Sequence, residues 1–207
     1  TNDYVTAKIG VSVKPVRGLE IAAAFTPTFT FQNGKNMVKK VPYYDAYDYS
    51  LILGYVNGHT SNDLTETRGK TVTTETQVTA TYENCFNNAH NLNVMAGFEQ
   101  YFYTHEVLHP SSTNMDLKYP YMDLANAENL SADGSATENG YRSYFGRVMY
   151  NYKGRYYVQA NIRADASSRF AKKYRWGYFP SASVGWRVTE EPWMQNLKPY
   201  ISSLKLR

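Results

Sequence analysis

The chain has 207 residues, of which 20 are tyrosine and 15% are aromatic, and its formal charge at neutral pH is +4. The charge is modest, and the Lys and Arg residues are scattered, so they do not form the basic patch of a nucleic-acid-binding protein. The sequence also contains no run of about 20 apolar residues, which a membrane-spanning helix would need. A membrane role would therefore belong to strands, whose alternating residues are consistent with the negative mean hydropathy.

Alternation of apolar and polar residues recurs along the chain and is typical of strands with one apolar face. It is clearest between residues 156 and 169, where Val158, Ala160 and Ile162 alternate with Gln159 and Asn161. The pattern predicts about seven antiparallel strands of an all-β fold. In chain order they cover residues 5–13, 19–29, 71–82, 92–99, 145–152, 156–169 and 178–189.

The connections between these strands alternate in length. Short turns are predicted at residues 14–18, 83–91 and 152–155, and long polar loops at 32–69 and 105–140, with a shorter one at 172–177. Short periplasmic turns opposite long extracellular loops are typical of an outer-membrane barrel. Residues 204–207 look like the beginning of a further strand, and the chain starts at Thr1 without an initiator Met. We therefore expect a piece of a larger transmembrane β-barrel.

The polar side of the predicted strands carries charges that would be costly inside a sandwich core. The apolar side must then contact lipid, in a barrel, or a second sheet, in a soluble sandwich. Tyrosines and tryptophans near strand ends favour the aromatic girdles of a membrane barrel. A soluble, secreted β-sandwich that binds carbohydrate through Tyr-rich loops has a similar composition and remains the alternative.

A long segment, residues 144–191, carries a specific family pattern. It contains YFGRVMYNYKGRYYVQANIRADASSRF, followed after four residues by RWGYFPSASVGWRVTEE. This segment closely resembles the barrel of SusC/RagA-family TonB-dependent outer-membrane transporters, although the family commonly has Gly where this chain has Ala166. Residues 90–101, HNLNVMAGFEQY, give a weaker second match. The resemblance implies a barrel of about 22 strands with a plug in its lumen.

The family resemblance also implies location, partners and activity. It implies a protein of the bacterial outer membrane that contacts lipid, a SusD-like surface lipoprotein and, through a plug region, TonB. The expected function is nutrient import of an oligosaccharide or a peptide, and the expected partners do not include nucleic acid. We assign residues 1–207 to the barrel domain and expect the plug outside this chain. A passive pore without energy coupling remains an open alternative, and the sequence does not identify the substrate.

Two groups of residues are candidates for functional roles. Arg163, Asp165 and Arg169 lie at i, i+2 and i+6 of one predicted strand, so their charges share the side that faces the lumen, where they could pair with each other or with a plug. The first long loop carries a series of tyrosines that could contact a ligand or partner, or pack the loop onto its neighbours. These tyrosines are Tyr43, Tyr44, Tyr47, Tyr49 and Tyr55.

Catalytic and metal-binding patterns are not found in the sequence. It has no G-x-S-x-G or H-E-x-x-H motif, so we predict that the protein is not an enzyme. Only His105 and His109 of the four histidines are close, and their surroundings indicate a loop. The single Cys85 has no second cysteine, and the acidic residues of the second long loop lack calcium-loop spacing. We therefore predict no metal and no cofactor.

Overall fold

The computed structural model describes residues 1–116, 118–197 and 199–207. Within these residues no helix is both long enough and apolar enough to cross a membrane. The short helices are all of the 3-10 type and comprise Val56–Gly58, Met122–Leu124, Ala127–Asn129, Lys172–Tyr174, Val188–Glu190 and Pro192–Leu197. The strands are β1 (Asn2–Thr6), β2 (Ile9–Val16), β3 (Leu19–Val38), β4 (Pro42–Tyr44), β5 (Ile52–Tyr55), β6 (Asp63–Phe86), β7 (His90–Ser112), β8 (Leu130–Tyr152), β9 (Tyr156–Ser167), β10 (Trp176–Arg187) and β11 (Lys205–Leu206).

Nine of the strands form one sheet in the order β1-β3-β6-β7-β8-β9-β10-β11, and β2 also pairs with β3. The pairs β2–β3, β8–β9, β9–β10 and β10–β11 are antiparallel. Strands β4 and β5 form a separate two-stranded sheet. The predicted all-β antiparallel fold is confirmed, and β11 confirms the strand predicted over residues 204–207.

The short turns reverse the direction of the chain with very few residues. Strand β6 ends at Phe86 and β7 begins at His90, and both Asn87 and Asn88 have positive φ angles. In the turn between β8 and β9, Lys153 and Gly154 have φ angles of 50° and 67°. Two successive residues with positive φ match the right-handed twist of paired strands. The turn between β6 and β7 is shorter than the predicted turn over residues 83–91, whereas the turn between β8 and β9 lies within the predicted residues 152–155.

Four strands are longer than the alternation predicted. Strands β3, β6, β7 and β8 contain 20, 24, 23 and 23 residues. The loops predicted at residues 32–69 and 105–140 are therefore wrong at their ends, where the chain is still paired. Alternation fails there because the few apolar residues of these outer strand segments do not form a sustained two-residue period, while pairing uses backbone groups that every residue carries. Strand β9, by contrast, is shorter than predicted, because it ends at Ser167, two residues before the predicted end.

Within the sheet, each strand separates its side chains onto two faces. Ile162 lies opposite Gly146 and Pro180, whereas its neighbour Asn161 lies opposite Arg147 and Ser181. Residues directly opposite each other in paired strands project to the same side. We call the side of β7–β10 that carries Ile162 the apolar face, and the side that carries Asn161 the polar face.

No part of the chain that the structure describes covers the apolar face. Ile162 is 54% exposed and Val184 is 70% exposed. Among the described residues only four hydrophobic side chains are buried, namely Leu64, Met115, Val188 and Met194. A soluble sandwich would bury its apolar face against a second sheet, so the sandwich alternative is not the observed fold.

The chain divides into two compact units. The first comprises residues 1–5, 28–72 and 104–138 and contains the long connections between β3 and β6 and between β7 and β8. The second comprises residues 6–27, 73–103 and 139–207 and contains the short turns and all of β9 and β10.

Candidate functional site

The polar face of the second unit is organised around the guanidinium group of Arg163, in the middle of β9. Its Nε donates to Oδ1 of Asp165 at 2.7 Å, and its Nη2 donates to Oγ of Ser143 at 2.9 Å. The same Nη2 reaches Oε2 of Glu99 at 3.3 Å. One arginine therefore binds two carboxylates and a hydroxyl from β7, β8 and β9. We call Arg163, Asp165, Glu99 and Ser143 the arginine cluster.

An aromatic ring holds the arginine in place. The centroid of the Phe145 ring lies 5.5 Å from Cζ of Arg163, within the range of a cation–π contact. The same ring lies against Gly97 of β7, where a Cβ atom would collide with its edge. Gly97 is therefore required by the close approach of Phe145.

Two stacked tyrosines extend the arginine cluster along the polar face. The rings of Tyr101 and Tyr141 lie 5.0 Å apart at an interplanar angle of 11°. The hydroxyl of Tyr141 donates to Oε1 of Glu99 at 3.5 Å. Flat aromatic rings beside hydrogen-bonding groups can bind a polar molecule such as a sugar or a peptide.

The sequence prediction for this cluster was incomplete in two ways. It identified Arg163 and Asp165, which the structure brings together, but not Glu99 or Ser143. Arg169 lies beyond the end of β9, where its backbone N–H donates to Oγ of Ser167 at 3.3 Å. It therefore does not share a strand face with the other two. The partners on β7 and β8 depend on the register between strands, which alternation does not reveal.

The predicted tyrosines of the first long loop lie on the two-stranded sheet β4–β5 and its connection. Tyr43, Tyr44 and Tyr55 are on the strands, and Tyr47 and Tyr49 are at the tip. Tyr47 is 98% exposed and Tyr49 is 80% exposed. By contrast, Tyr43 covers Gly54, and Tyr55 contacts the ammonium group of Lys40, whose Nζ lies 5.0 Å from the ring centroid.

Aspartate side chains hold the tip of this hairpin in shape. Oδ1 of Asp45 accepts from the backbone N–H groups of Tyr47 and Asp48, at 2.8 and 3.0 Å. Oδ1 of Asp48 accepts from the hydroxyl of Ser50 at 2.6 Å and from its backbone N–H at 2.9 Å. These two bonds from Ser50 lower the pKa of Asp48. The structure therefore separates Tyr43 and Tyr55, whose rings contact Gly54 and Lys40, from Tyr47 and Tyr49, which are displayed at the tip.

A second charged cluster, in the first unit, was not predicted because its residues were assigned to a loop. The carboxylate of Glu66 on β6 accepts from Nζ of Lys35 and from Nη2 of Arg68, both at 2.8 Å. The hydrogen bond from Lys35 is the main reason that the pKa of Glu66 lies below its ordinary value. Lys35 also donates to the carbonyl oxygen of Pro120 at 2.7 Å. The cluster therefore fixes residues near the second long loop to β3 and β6.

A third polar cluster lies at the end of the second unit that carries the short turns. Oε1 of the buried Glu191 accepts from the hydroxyl of Tyr156 at 2.6 Å and from Nε1 of Trp186 at 3.0 Å. The hydrogen bond from Tyr156 is the main reason that the pKa of Glu191 lies below its ordinary value, and the bond from Trp186 lowers it further. Arg155 approaches the other carboxylate oxygen at 3.5 Å. Glu191 is the last residue of the segment 144–191 that carries the family pattern, but the sequence did not predict its hydrogen-bond partners.

A cavity of about 1090 Å³ lies in the second unit, lined by residues of β6–β11. Its walls include Glu83, Asn93, Gln159 and Ser183. Oδ1 of Asn93 is buried and accepts no hydrogen bond from the described residues. An unpartnered buried acceptor in a polar space indicates that this wall can bind another polar group.

The described part of the chain contains no group of three or more side chains suited to hold a metal ion. His105 and His109 lie in β7, not in the predicted loop. Their Nδ1 atoms are within hydrogen-bonding distance of the hydroxyl groups of Thr71 and Thr67, at 2.8 and 3.3 Å.

No family model matches the chain. Among curated proteins, it is 35% identical over 129 residues to TonB-dependent receptor P39 of Formosa agariphila, covering 61% of this chain and 12% of that protein. It is 46% identical over 72 residues to TonB-dependent receptor SusC of Bacteroides thetaiotaomicron, covering 35% of this chain and 7% of that protein. The chain therefore spans only a small part of the relatives it matches.

Solved structures with the same fold cover almost the whole chain. The structure of the RagAB peptide transporter matches 94% of this chain and 21% of that chain, with a TM-score of 0.75 and 21% identity. The RagAB peptide importer in its closed-closed state matches 92% of this chain and 20% of that chain, with a TM-score of 0.77 and 20% identity. In sequence and fold the chain therefore matches a barrel segment of SusC/RagA-type TonB-dependent transporters, which are proteins of the bacterial outer membrane.

Proposed function

We propose that the chain forms part of the barrel wall of an active nutrient importer. The observation that carries this proposal is the division of β7–β10 into an exposed apolar face and a polar face with the arginine cluster. An apolar face with no protein cover suits lipid, and a polar face with fixed charges suits a lumen through which hydrophilic molecules pass. In this proposal the wall itself performs no chemical reaction.

The polar face would also contact a plug domain located elsewhere in the protein. The cavity near the short turns and the unpartnered Oδ1 of Asn93 support this role, because a plug could fill the space and supply the missing donor. Residues 1–207 would then all belong to the barrel domain. TonB would act on the plug from the periplasm.

The proposed cargo is an oligosaccharide or a peptide. Stacked Tyr101 and Tyr141 beside the carboxylate of Glu99 support either cargo, since aromatic rings and charged acceptors bind both classes. RagAB is a peptide importer, and SusC is a TonB-dependent receptor. We further propose that Tyr47 and Tyr49 contact either the cargo or a SusD-like surface lipoprotein.

Uptake by cells that produce the full-length protein tests the transport function. Cells would be supplied with fluorescent oligosaccharide and peptide libraries, with and without a protonophore and with and without TonB. We expect the protein to raise uptake of one library, and we expect that increase to disappear when TonB or the proton gradient is removed. Uptake that continues unchanged without either would establish the passive-pore alternative.

The hairpin tip is tested by a pair of tyrosine variants. Replacing Tyr47 and Tyr49 by Ala removes two displayed rings, and we expect uptake or lipoprotein co-purification to fall about tenfold, as for a binding hot spot. The matched control is Tyr200→Ala, since Tyr200 is 86% exposed in the connection between β10 and β11. Equal behaviour of the two variants would argue that the tip contacts neither cargo nor partner.

A further inference from the structure

The connection between β9 and β10 carries a concentration of positive charge that the transport function does not use. Four of the seven residues 169–175 are cationic and none is acidic. These residues are Arg169, Lys172, Lys173 and Arg175. Within the ranges that the structure describes, none of the four forms an ion pair with a carboxylate. This basic loop is therefore free to meet an anion from outside the chain.

Aromatic side chains border the basic loop on the apolar face. The ring of Trp176 stacks on Tyr144 at 5.9 Å, and Tyr144 packs against Phe98 at 5.3 Å. Alanines make room for them, because Ala164 lies opposite Tyr144 and Ala166 lies opposite Trp176. We call Phe98, Tyr144 and Trp176 the aromatic shelf.

A fifth cation lies on the same face as the aromatic shelf. Arg142 is opposite Ala166, in the same row as Trp176, and its Cζ lies 6.0 Å from the ring centroid of Phe98. Its Nη2 and Nε donate to Oε1 of Gln100 at 3.0 and 3.2 Å. The neutral amide orients this guanidinium group and leaves its positive charge uncompensated.

The position of these cations indicates what they bind. Aromatic girdles lie at the level of the lipid headgroups, and the shelf occupies the last rows of the apolar face before the basic loop. This end of the strands carries the long connections and so faces the outside of the cell. Cations at that depth meet the phosphate groups of outer-leaflet lipids, with which Arg and Lys form charge-assisted hydrogen bonds.

We propose that the basic loop and Arg142 form a binding site for the phosphate of an outer-leaflet membrane lipid. The acyl chains of that lipid would pack against the aromatic shelf. The site rests on the barrel fold and is independent of what the barrel transports, so its failure and that of the import proposal are distinguishable. A lipid bound there would hold the barrel at a fixed depth in the membrane.

Native mass spectrometry of the purified full-length protein in a mild detergent tests this site. Lipid A that carries phosphate would be added to the wild type and to the variant in which Arg169, Lys172, Lys173 and Arg175 are each replaced by Gln. Each cation near an anionic lipid surface contributes roughly fivefold to binding, so the loss of all four should weaken binding roughly 600-fold and leave well under one per cent of the wild-type affinity. Arg142→Gln alone should weaken binding roughly fivefold.

Three comparisons make the result decisive. Lys153→Gln removes a cation from a short turn at the opposite end of the strands and should leave lipid binding unchanged. The wild type should lose most of its affinity for lipid A after a phosphatase has removed the phosphate, which tests the site without any variant. The proposal is wrong if the phosphate-free lipid binds equally well, if the four-residue variant binds like the wild type, or if inorganic phosphate alone binds as tightly as the lipid.

Discussion

The two faces of β7–β10 share the same backbone and differ only in which residues alternate onto each side. The side chains of the apolar face, such as Ile162 and Val184, are exposed and do not pack into a hydrophobic core. The polar face carries the arginine cluster, in which one guanidinium group joins three strands. In a soluble protein the apolar face would be the buried one, whereas an exposed apolar face opposite a polar one is the arrangement of a transmembrane barrel wall.

The largest expected effect comes from placing a charge on the apolar face. Ile162 is the seventh of the twelve residues of β9, so Ile162→Lys would put an ammonium group near the centre of the bilayer. We expect a destabilisation of about 2–4 kcal/mol, whereas an exposed residue of a soluble protein would tolerate the change. The measurement is the amount of heat-modifiable, folded barrel assembled in the outer membrane.

The matched control for this substitution is Gln159→Lys on the polar face of the same strand. We expect it to assemble at nearly the wild-type level, because a lysine in an aqueous lumen stays hydrated. Similar losses from both variants would contradict the assignment of the two faces.

A second test compares the close approach of β7 and β8 with an open position. Gly97→Ala would force its new methyl group into the ring of Phe145, and we expect a cost of about 1–3 kcal/mol. Adding Phe145→Leu should restore part of the loss in melting temperature of the detergent-solubilised protein. The control is Gly10→Ala, where the nearest atom lies 3.6 Å from the added Cβ. Absence of any rescue would mean that the ring is not what excludes the methyl group.

The third test removes the centre of the arginine cluster. Arg163→Gln leaves the carboxylates of Glu99 and Asp165 without their cation, and we expect a loss of about 1–2 kcal/mol, limited by the partial exposure of the site. Combining it with Glu99→Gln should cost less than the sum of the two single variants. Additive losses in melting temperature would show that the pair is not coupled.

The smallest expected effect is a pH dependence in the first unit. Because Lys35 lowers the pKa of Glu66 in the folded state, the carboxylate stabilises the fold above its ordinary pKa of 4.5. That contribution is lost as the pH falls through the lower folded value. We therefore expect Glu66→Gln to melt below the wild type at pH 7 and the difference to shrink below about pH 4.5. A difference that stays constant from pH 7 to pH 3 would contradict this account.

Much of the fold could be predicted from the sequence, because alternation reports which side chains share a face. It gave the strands around Val158 and Val184 and the short turn at Gly154, and the family pattern gave the barrel. The outer ends of β3, β6, β7 and β8 could not be predicted in this way. Their few apolar side chains do not form a sustained two-residue period, so the pattern does not distinguish them from loops.

The residues of the candidate sites were harder to predict from the sequence than the strands. Arg163 and Asp165 are two residues apart, so their pairing followed from the period of one strand. Glu99 is 64 residues from Arg163, and its contact depends on how three strands are aligned. The same is true of Lys35 and Glu66, which lie on different strands. Local spacing thus predicts pairs within a strand but not pairs across strands.

The sequence by itself determined that this protein is built from strands with opposed faces, because the two-residue period of a strand is written directly in the order of its residues. The tertiary structure decided which charges meet and which rings stack. Register across strands is set by turn geometry and by packing such as that of Phe145 on Gly97, and a shift of one residue would exchange the two faces.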